Sequence, residues 1–600
     1  MAPARTRHEA GRGLAAGDGV SGDTNRLTAA EAFLAALARR GVEYLYLNAG
    51  TDFASIVEAY ARRESRGSPS LEFPAPIVCP HENLAVGMAH GYALATGKPQ
   101  AVMVHVSVGT ANCVCGLLNA ARDQVPLLLT AGRTPLYEQG RRGARNAHIH
   151  WAQEMFDQGS LVRELVKWDY ELRDAMQAEI VADRALAVAR AAPAGPVYLT
   201  LPREVLAEEI AADALAQSET AVPRAPAPNP GDVERLAQLI AAAELPIIIT
   251  SGAGAVAASQ ALETMQAFGQ FVRRFGIGVV EYLARRVCLP SSHALNLGTD
   301  NRVALERADL ILVVDADVPW IPEVASPRPG TRVVHIGVDP LYVRYPIRSF
   351  RTDLALATTL EQLLPPLTAA LDHRAATSQV DYAARTRRIQ DLAASRRAEL
   401  EARRRRIADE TRMSRAWLTM CLNQATLRDD CIVNEYWAER ELIERELPCT
   451  YFGTPPAGGL GWGLPAALGI AQSEAGSKQT GVVIAALGDG SYVFANPAAC
   501  HQTAAALKLP VLTVVCNNRQ WGAVEWAARS VYPDGHAARG GTPAPLSSLE
   551  PAPQFEKYVE ASGGHGERVT DPQELPGALE RALSVVRRER RQALLNVICE

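Results

Sequence analysis

No apolar run in this 600-residue chain reaches the roughly 18 residues that a membrane-crossing helix needs, so no transmembrane segment is expected. The stretch from Met1 to about Asn25 is rich in Ala, Gly and Arg and has no apolar core, which excludes a secretory leader. It reads as a disordered tail over residues 1–25, with an organelle-targeting segment as the less favoured alternative. The ten cysteines follow no repeated spacing. Cys113 and Cys115 stand two apart, not in the CxxC pairing of zinc and redox sites, so reduced thiols and a cytoplasmic location are expected. A strong charge of one sign is also missing. The formal net charge of −5 gives no general pull towards nucleic acid or an anionic membrane. No internal repeat is visible.

What is there is enough chain for several domains, with 48% hydrophobic and 21% charged residues, the balance of a globular protein. Short apolar segments alternate with amphipathic helical stretches. Among them are Tyr44–Leu47, Ala101–His105, Pro126–Thr130, Val197–Leu201, Pro246–Thr250, Leu310–Val314, Arg332–Ile336, Gly481–Leu487 and Pro510–Cys516. That alternation predicts an α/β protein of doubly wound parallel sheets, with ligands at the carboxyl ends of the strands. The proline-rich stretch Ala221–Pro230 reads as a linker. The charged stretch Asp381–Thr411 reads as a solvated connecting helix, because acids interleave with its arginines; the alternative is a nucleic-acid patch. Three α/β blocks follow, at about 26–220, 231–375 and 410–600.

The densest chemistry lies in the third block. The strand Gly481–Leu487 runs into Gly488-Asp489-Gly490-Ser491, and the strand Val511–Cys516 ends in Asn517-Asn518. Both clusters are expected at one edge of a parallel sheet. Mg2+ prefers octahedral oxygen ligands shared with a phosphate. Asp489 offers a carboxylate, Asn518 an amide oxygen and Gln520 a backbone carbonyl. Gly488 and Gly490 permit close approach, and amides near Ser491 can face a diphosphate.

A GDG at one strand end, then the 26 residues 491–516, then Asn-Asn at another, resembles the cofactor-anchoring motif of thiamine-diphosphate enzymes. Upstream, Ala457-Gly458-Gly459-Leu460-Gly461-Trp462-Gly463-Leu464-Pro465 resembles the glycine-rich segment of benzoylformate decarboxylases. That likeness implies that the Gly458 carbonyl takes the 4'-amino group and that the Leu460 side chain wedges beneath the cofactor. One departure stands out. The decarboxylases follow an Asn-Glu pair with small hydroxyl residues near the diphosphate, whereas here Asn434-Glu435 is followed by Tyr436-Trp437-Ala438.

In the first block, Cys79-Pro80-His81-Glu82-Asn83 and Gly91-Tyr92-Ala93-Leu94-Ala95-Thr96-Gly97 resemble the catalytic-glutamate region of the same family. By that likeness Glu82 bonds N1' of the aminopyrimidine and favours the imino tautomer that removes the C2 proton. The resemblance also implies a homodimer or homotetramer, in which the Glu-bearing domain of one subunit meets the metal-bearing domain of another. The strand Ala101–His105 ends as in benzoylformate decarboxylase, which implies that His105 transfers protons. Thr51, in the turn Asn48-Ala49-Gly50-Thr51-Asp52, takes the place of a serine held against the substrate carboxylate; it fits a turn residue capping its own backbone equally well.

The leading reading is therefore a decarboxylase of a 2-oxo acid working through an enamine intermediate. Ala95-Thr96-Gly97-Lys98-Pro99 and Val334-His335-Ile336-Gly337-Val338-Asp339-Pro340 resemble acetolactate synthases, so a carboligase of that type is the alternative. A non-catalytic regulatory homologue is the reading from another class. The second histidine of benzoylformate decarboxylase has no clear counterpart; the nearest stretch is Asp317-Val318-Pro319-Trp320. Acetolactate synthases also hold FAD in the middle domain. Ser251-Gly252-Ala253-Gly254 is short of a full GxGxxG, so FAD is the less favoured extra cofactor. Trp437, Trp462, Trp521 and Phe494 fit either a pocket lining or the core.

Overall fold

The computed structural model describes residues 26–65, 71–212, 219–253, 258–377, 380–475, 481–540 and 543–599; the expected tail, 1–25, lies outside them. The apolar segments form three parallel sheets. The first has the spatial order Ala75–Val78, Tyr44–Leu47, Gln100–Val104, Leu127–Arg133, Val197–Pro202, Asp169–Glu171. The second runs Gly278–Glu281, Pro246–Thr250, Leu310–Val314, Arg332–Gly337, Leu354–Ala357. The third runs Tyr451–Phe452, Cys431–Glu435, Val483–Gly488, Val511–Asn517, Ala593–Ile598, His565–Val569. A short antiparallel ribbon pairs Arg26–Thr28 with Glu209–Ala211.

Helices cover both faces of such sheets, so central strands are buried on both sides and read as continuous apolar runs. Leu310–Val314 and Pro246–Thr250 are buried throughout. The fold is α/β and built from doubly wound parallel sheets, as the alternation of segments predicts. The connections also have physical causes. The proline-rich stretch is irregular up to Asn229, whose side chain accepts the Gly231 amide at 2.8 Å and caps the helix Pro230–Ala242. Tyr382–Ala408 is one helix of 27 residues. In its arginine run, Arg403 pairs with Glu439 and Glu441, and Arg404 with Glu401 and Glu444. Among the described residues no helix is long and apolar enough to cross a membrane.

The first and third sheets meet through the helices Glu82–Thr96 and Gly463–Ala475. Gly87, Gly91 and Gly469 lie where a Cβ would come within 2.0–2.4 Å of Pro465, Ala466 and Met88, so the crossing needs small residues. Asn119 locks the same boundary. Its amide donates to the Gly459 carbonyl at 2.8 Å and accepts the Gly459 amide at 3.0 Å.

Candidate active site

Each sheet reverses its strand order at its second strand, and the crevice beyond that point is where open parallel sheets bind ligands. In the first sheet the reversal falls between Tyr44–Leu47 and Gln100–Val104; in the third, between Cys431–Glu435 and Val483–Gly488. The turns leaving these four strands carry Thr51 and Asp52, His105, Tyr436, and Asp489.

At the first crevice, Asp52 is 2% exposed and its carboxylate accepts His105 Nδ1 at 2.5 Å and the Val106 amide at 3.3 Å. The hydrogen bond to Asp52 raises the His105 pKa against the opposing effect of burial. The other ring nitrogen, Nε2, lies 3.3 Å from Gln153 Nε2. The pair fits only because two positions lack a side chain. A Cβ on Gly50 would lie 2.1 Å from His105 Nδ1, and one on Gly132 would lie 1.9 Å from Asp52 Oδ2. Val106 follows with φ +30°, a conformation that β-branched residues resist. Thr51 is exposed, and its backbone carbonyl accepts from Arg203 at 3.3 Å.

At the third crevice, Asp489 is 4% exposed and starts a helical turn, with Oδ1 accepting the Gly490 amide at 2.9 Å. Its Oδ2 is buried without a partner among the described residues. Burial raises the carboxyl pKa, and the amides of Gly490, Arg519 and Gln520 partly offset that. Asn518, which follows the end of the neighbouring strand, accepts the Gln520 amide on Oδ1 at 3.3 Å. One orphaned carboxylate oxygen beside an amide oxygen is a donor set suited to a hard divalent cation. No cluster of three or more His, Cys, Asp or Glu exists among the described residues.

Gly488 has no heavy atom nearer than 3.8 Å to a would-be Cβ and stands open to an approaching ligand. Gly490 is different. A Cβ there would meet the Trp521 ring at 2.3 Å, so its constraint comes from Trp521 packing. Trp521 stacks edge-on with Phe494, which is half exposed, while Trp437 and Trp462 are core residues at 3% and 2% exposure. The four aromatic residues therefore divide between site and core.

Glu435 carries a role that the sequence reading did not assign. It is fully buried, accepts the Gly461 and Gly463 amides at 2.8 and 2.5 Å, and is pushed up to about 7 by burial, with Ser491 also bonded to it. It thereby ties the strand end to the glycine-rich segment. Leu460 is half-buried in that segment. Tyr436 takes φ +78° and donates its hydroxyl to the Gly458 carbonyl at 3.1 Å. The residue that departs from the family pattern thus reaches the carbonyl expected to hold the cofactor's amino group. Glu82 opens the Glu82–Thr96 helix, 8% exposed, and accepts Asn112 Nδ2 at 3.1 Å.

The middle crevice is occupied by the protein itself. Thr250 Oγ1 accepts the Gly252 and Ala253 amides at 3.2 and 2.8 Å, so these donors are not free for a dinucleotide phosphate. Arg285 pairs with Asp317 at 3.2 Å, and Tyr345 donates to Asp317 at 2.8 Å. The cavity there, lined by Gly252, Arg285 and Asp315, is about 130 Å³, small for a flavin dinucleotide. Gly254, the next residue of that glycine-containing stretch, lies outside the described residues.

Comparison with known proteins agrees with this arrangement. Three thiamine pyrophosphate enzyme domains match in order: the N-terminal TPP binding domain over 27–161, the central domain over 233–366 and the C-terminal TPP binding domain over 434–597. Benzoylformate decarboxylase of Pseudomonas aeruginosa is 29% identical over 534 residues, covering 84% of this chain and 89% of that protein. Acetolactate synthase isozyme 3 large subunit of Escherichia coli is 24% identical over 529 residues, covering 85% of each. The fold is shared with the thiamine diphosphate-dependent 4-hydroxybenzoylformate decarboxylase of Rhodococcus jostii, at TM-score 0.69 and 21% identity, over 96% of this chain and 99% of that one. With all three domains present and both crevices built at their strand ends, the chain belongs to the thiamine pyrophosphate enzyme family.

Proposed function

We propose that this thiamine-diphosphate-dependent enzyme decarboxylates a 2-oxo acid in the manner of benzoylformate decarboxylase. The observation that carries the reading is the Asp52–His105 pair at the first crevice, whose 2.5 Å hydrogen bond fixes the imidazole where the strand order reverses. The 29% identity to benzoylformate decarboxylase supports it.

Asp489 Oδ2, the Asn518 amide oxygen and the Gln520 carbonyl would hold Mg2+, and Gly488, Gly490 and Ser491 would face the diphosphate. The Gly458 carbonyl accepts the 4'-amino group and Leu460 supports the ring system. When bound, the cofactor supplies the carbanion chemistry that cleaves the bond to the carboxylate. Glu82 holds the proton at N1', and Asn112 fixes the Glu82 carboxylate by its 3.1 Å hydrogen bond. His105 moves a proton at the reacting carbon, and Thr51 presents its hydroxyl to the substrate carboxylate.

An acetolactate-synthase-type carboligation is the second reading. It is favoured by the middle domain, where Asp317 is engaged by Arg285 and Tyr345 and the nearby Trp320 is buried, so that stretch offers no second proton donor. Screening 2-oxo acids for CO2 release, with and without an aldehyde acceptor, tests both. Release that requires the acceptor replaces the first reading by the second. The working form is a homodimer or homotetramer. The exposed Phe156, Trp526, Val531, Tyr532 and Leu546 support that, and light scattering on the purified chain tests it. Eight of the ten cysteines are buried, which supports a reducing cytoplasmic setting.

A further inference from the structure

The first sheet has a second edge that the catalytic reading leaves unused. Asp52 and His105 stand where its strands end. At the opposite edge, Gln124, Lys167 and Pro196 lead into the strands Leu127–Arg133, Asp169–Glu171 and Val197–Pro202. The Lys167 amide donates to the Pro196 carbonyl at 2.8 Å, which joins two of these approaches. The chain that leaves the middle-sheet strand Arg332–Gly337 comes down on this edge. There Arg344 donates to the Glu164 and Val166 carbonyls, and Arg122 donates to the Arg344 carbonyl at 3.0 Å. A cavity of about 270 Å³ remains between the two domains.

Arg122, Lys167 and Arg344 all line it, and among the described residues none of them is paired with a carboxylate. Their hydrogen bonds go to carbonyls; Lys167 Nζ donates to those of Val188 and Ala191, at 2.6 Å each. A carbonyl accepts a hydrogen bond but cancels no charge. An ammonium keeps one N–H after two bonds, and a guanidinium keeps several after one or two. Burial and the neighbouring Arg344 charge bring the Lys167 pKa down to about 8, as expected of an amine with no acid beside it. Two acids also reach the cavity. Asp339 turns back on its own loop and accepts the Val343 amide at 3.0 Å, and Glu164 is exposed.

Much of the remaining wall is apolar. It includes Leu165, Pro193, Pro196 and Tyr345, and the Arg122 guanidinium sits 5.1 Å from the Tyr345 ring centroid. Unopposed positive charge against an apolar wall suits an organic anion, because inorganic phosphate would leave that wall unfilled. The volume lies just under the roughly 300–1,000 Å³ of ordinary ligand pockets, which is small for a dinucleotide and right for a compact body.

We infer that this cavity binds a small carboxylate with an aromatic or branched apolar body, at a site separate from the catalytic crevice. The carboxylate meets Arg122, Lys167 and Arg344, and the body lies on Leu165 and Tyr345. The inference stands apart from the decarboxylase reading. An occupant would join the first and middle domains, since each supplies only part of the cation set.

Calorimetric titration of the full chain, with thiamine diphosphate and Mg2+ present, tests it. Benzoate and isovalerate carry both features, phosphate and acetate only the charge, and benzyl alcohol only the body. At least one of the first two should bind tenfold or more tighter than all three controls. Arg122→Gln and Arg344→Gln should each weaken it tenfold or more. Ala194→Phe, which fills the cavity and keeps every charge, should abolish it, whereas His105→Ala should leave it within about twofold. Melting temperatures identify any variant that fails to fold, and the others then carry the comparison. Controls that bind as tightly as the carboxylates, carboxylate binding lost in His105→Ala or unchanged in Ala194→Phe, or no carboxylate binding to the parent chain would overturn the site.

Discussion

The two outer crevices solve opposite problems. At the first, both carboxylate oxygens of Asp52 are used within the chain, and glycines at 50 and 132 hold the pair close. At the third, Asp489 uses one oxygen internally and leaves the other buried and orphaned, at a cost of about 1–3 kcal/mol for such a group. The substrate side is wired in advance. On the proposed assignment, the metal side is completed by what binds to it. The difference teaches that the third crevice should depend on ligands for its stability, and the first should depend on its own packing.

Breaking the third crevice should have the largest effect. Asp489→Ala removes the one carboxylate of the donor set, and calorimetric titration with thiamine diphosphate and Mg2+ should then show no metal-dependent binding. Retained affinity would place the cation elsewhere. Next comes Glu82→Gln, which should leave cofactor affinity near normal and slow C2–H exchange by orders of magnitude, read by proton–deuterium exchange on the bound cofactor. A wild-type rate would pass the role to another group.

At the first crevice, His105→Ala should cost about 10²–10⁴-fold in product formation, the usual range for a lost general acid–base, with cofactor affinity unchanged. If activity per folded molecule survives and only the melting temperature drops, His105 is structural and the carboligase reading moves ahead.

Asp52→Asn sharpens the same contrast through pH. Asp52 raises the His105 pKa above its unfolded value, so the stability from this pair is fully present below about pH 6.5 and is lost as pH rises through the folded value. The variant should flatten that decline in melting temperature and move the histidine limb of the pH–rate profile to lower pH. An unmoved limb would show that Asp52 does not control His105. The smallest effect is expected from Gly50→Ala, where the added methyl meets His105. A loss of about 1–3 kcal/mol in denaturant unfolding is expected, with cofactor binding preserved.

The sheets were legible because strands buried on both faces must be written as apolar runs. Tyr44–Leu47, Pro246–Thr250 and Leu310–Val314 are strands at the bounds read from sequence. Gly481–Leu487 instead starts at Val483 and extends to Gly488, since ladder pairing rather than hydropathy sets where a strand stops. The GDG and Asn-Asn clusters could be read because strand ends fix their edge. Asp52, Glu435 and Asn112 could not. Their partners lie 53, 26 to 28 and 30 residues away, and no local pattern marks such pairings.

The glycine-lined crossing of Glu82–Thr96 with Gly463–Ala475 also bears on how the chain is made. The first helix leaves the ribosome long before its mate. At about 5–20 residues per second, synthesis of the intervening chain takes tens of seconds. Throughout that interval a nearly all-apolar helix face, with Leu84, Met88 and Ala89 at its centre, has nothing from the third domain to pack against. A nascent chain halted before Gly463 should therefore be the species most prone to clump, and chaperone demand should fall sharply once that second helix emerges.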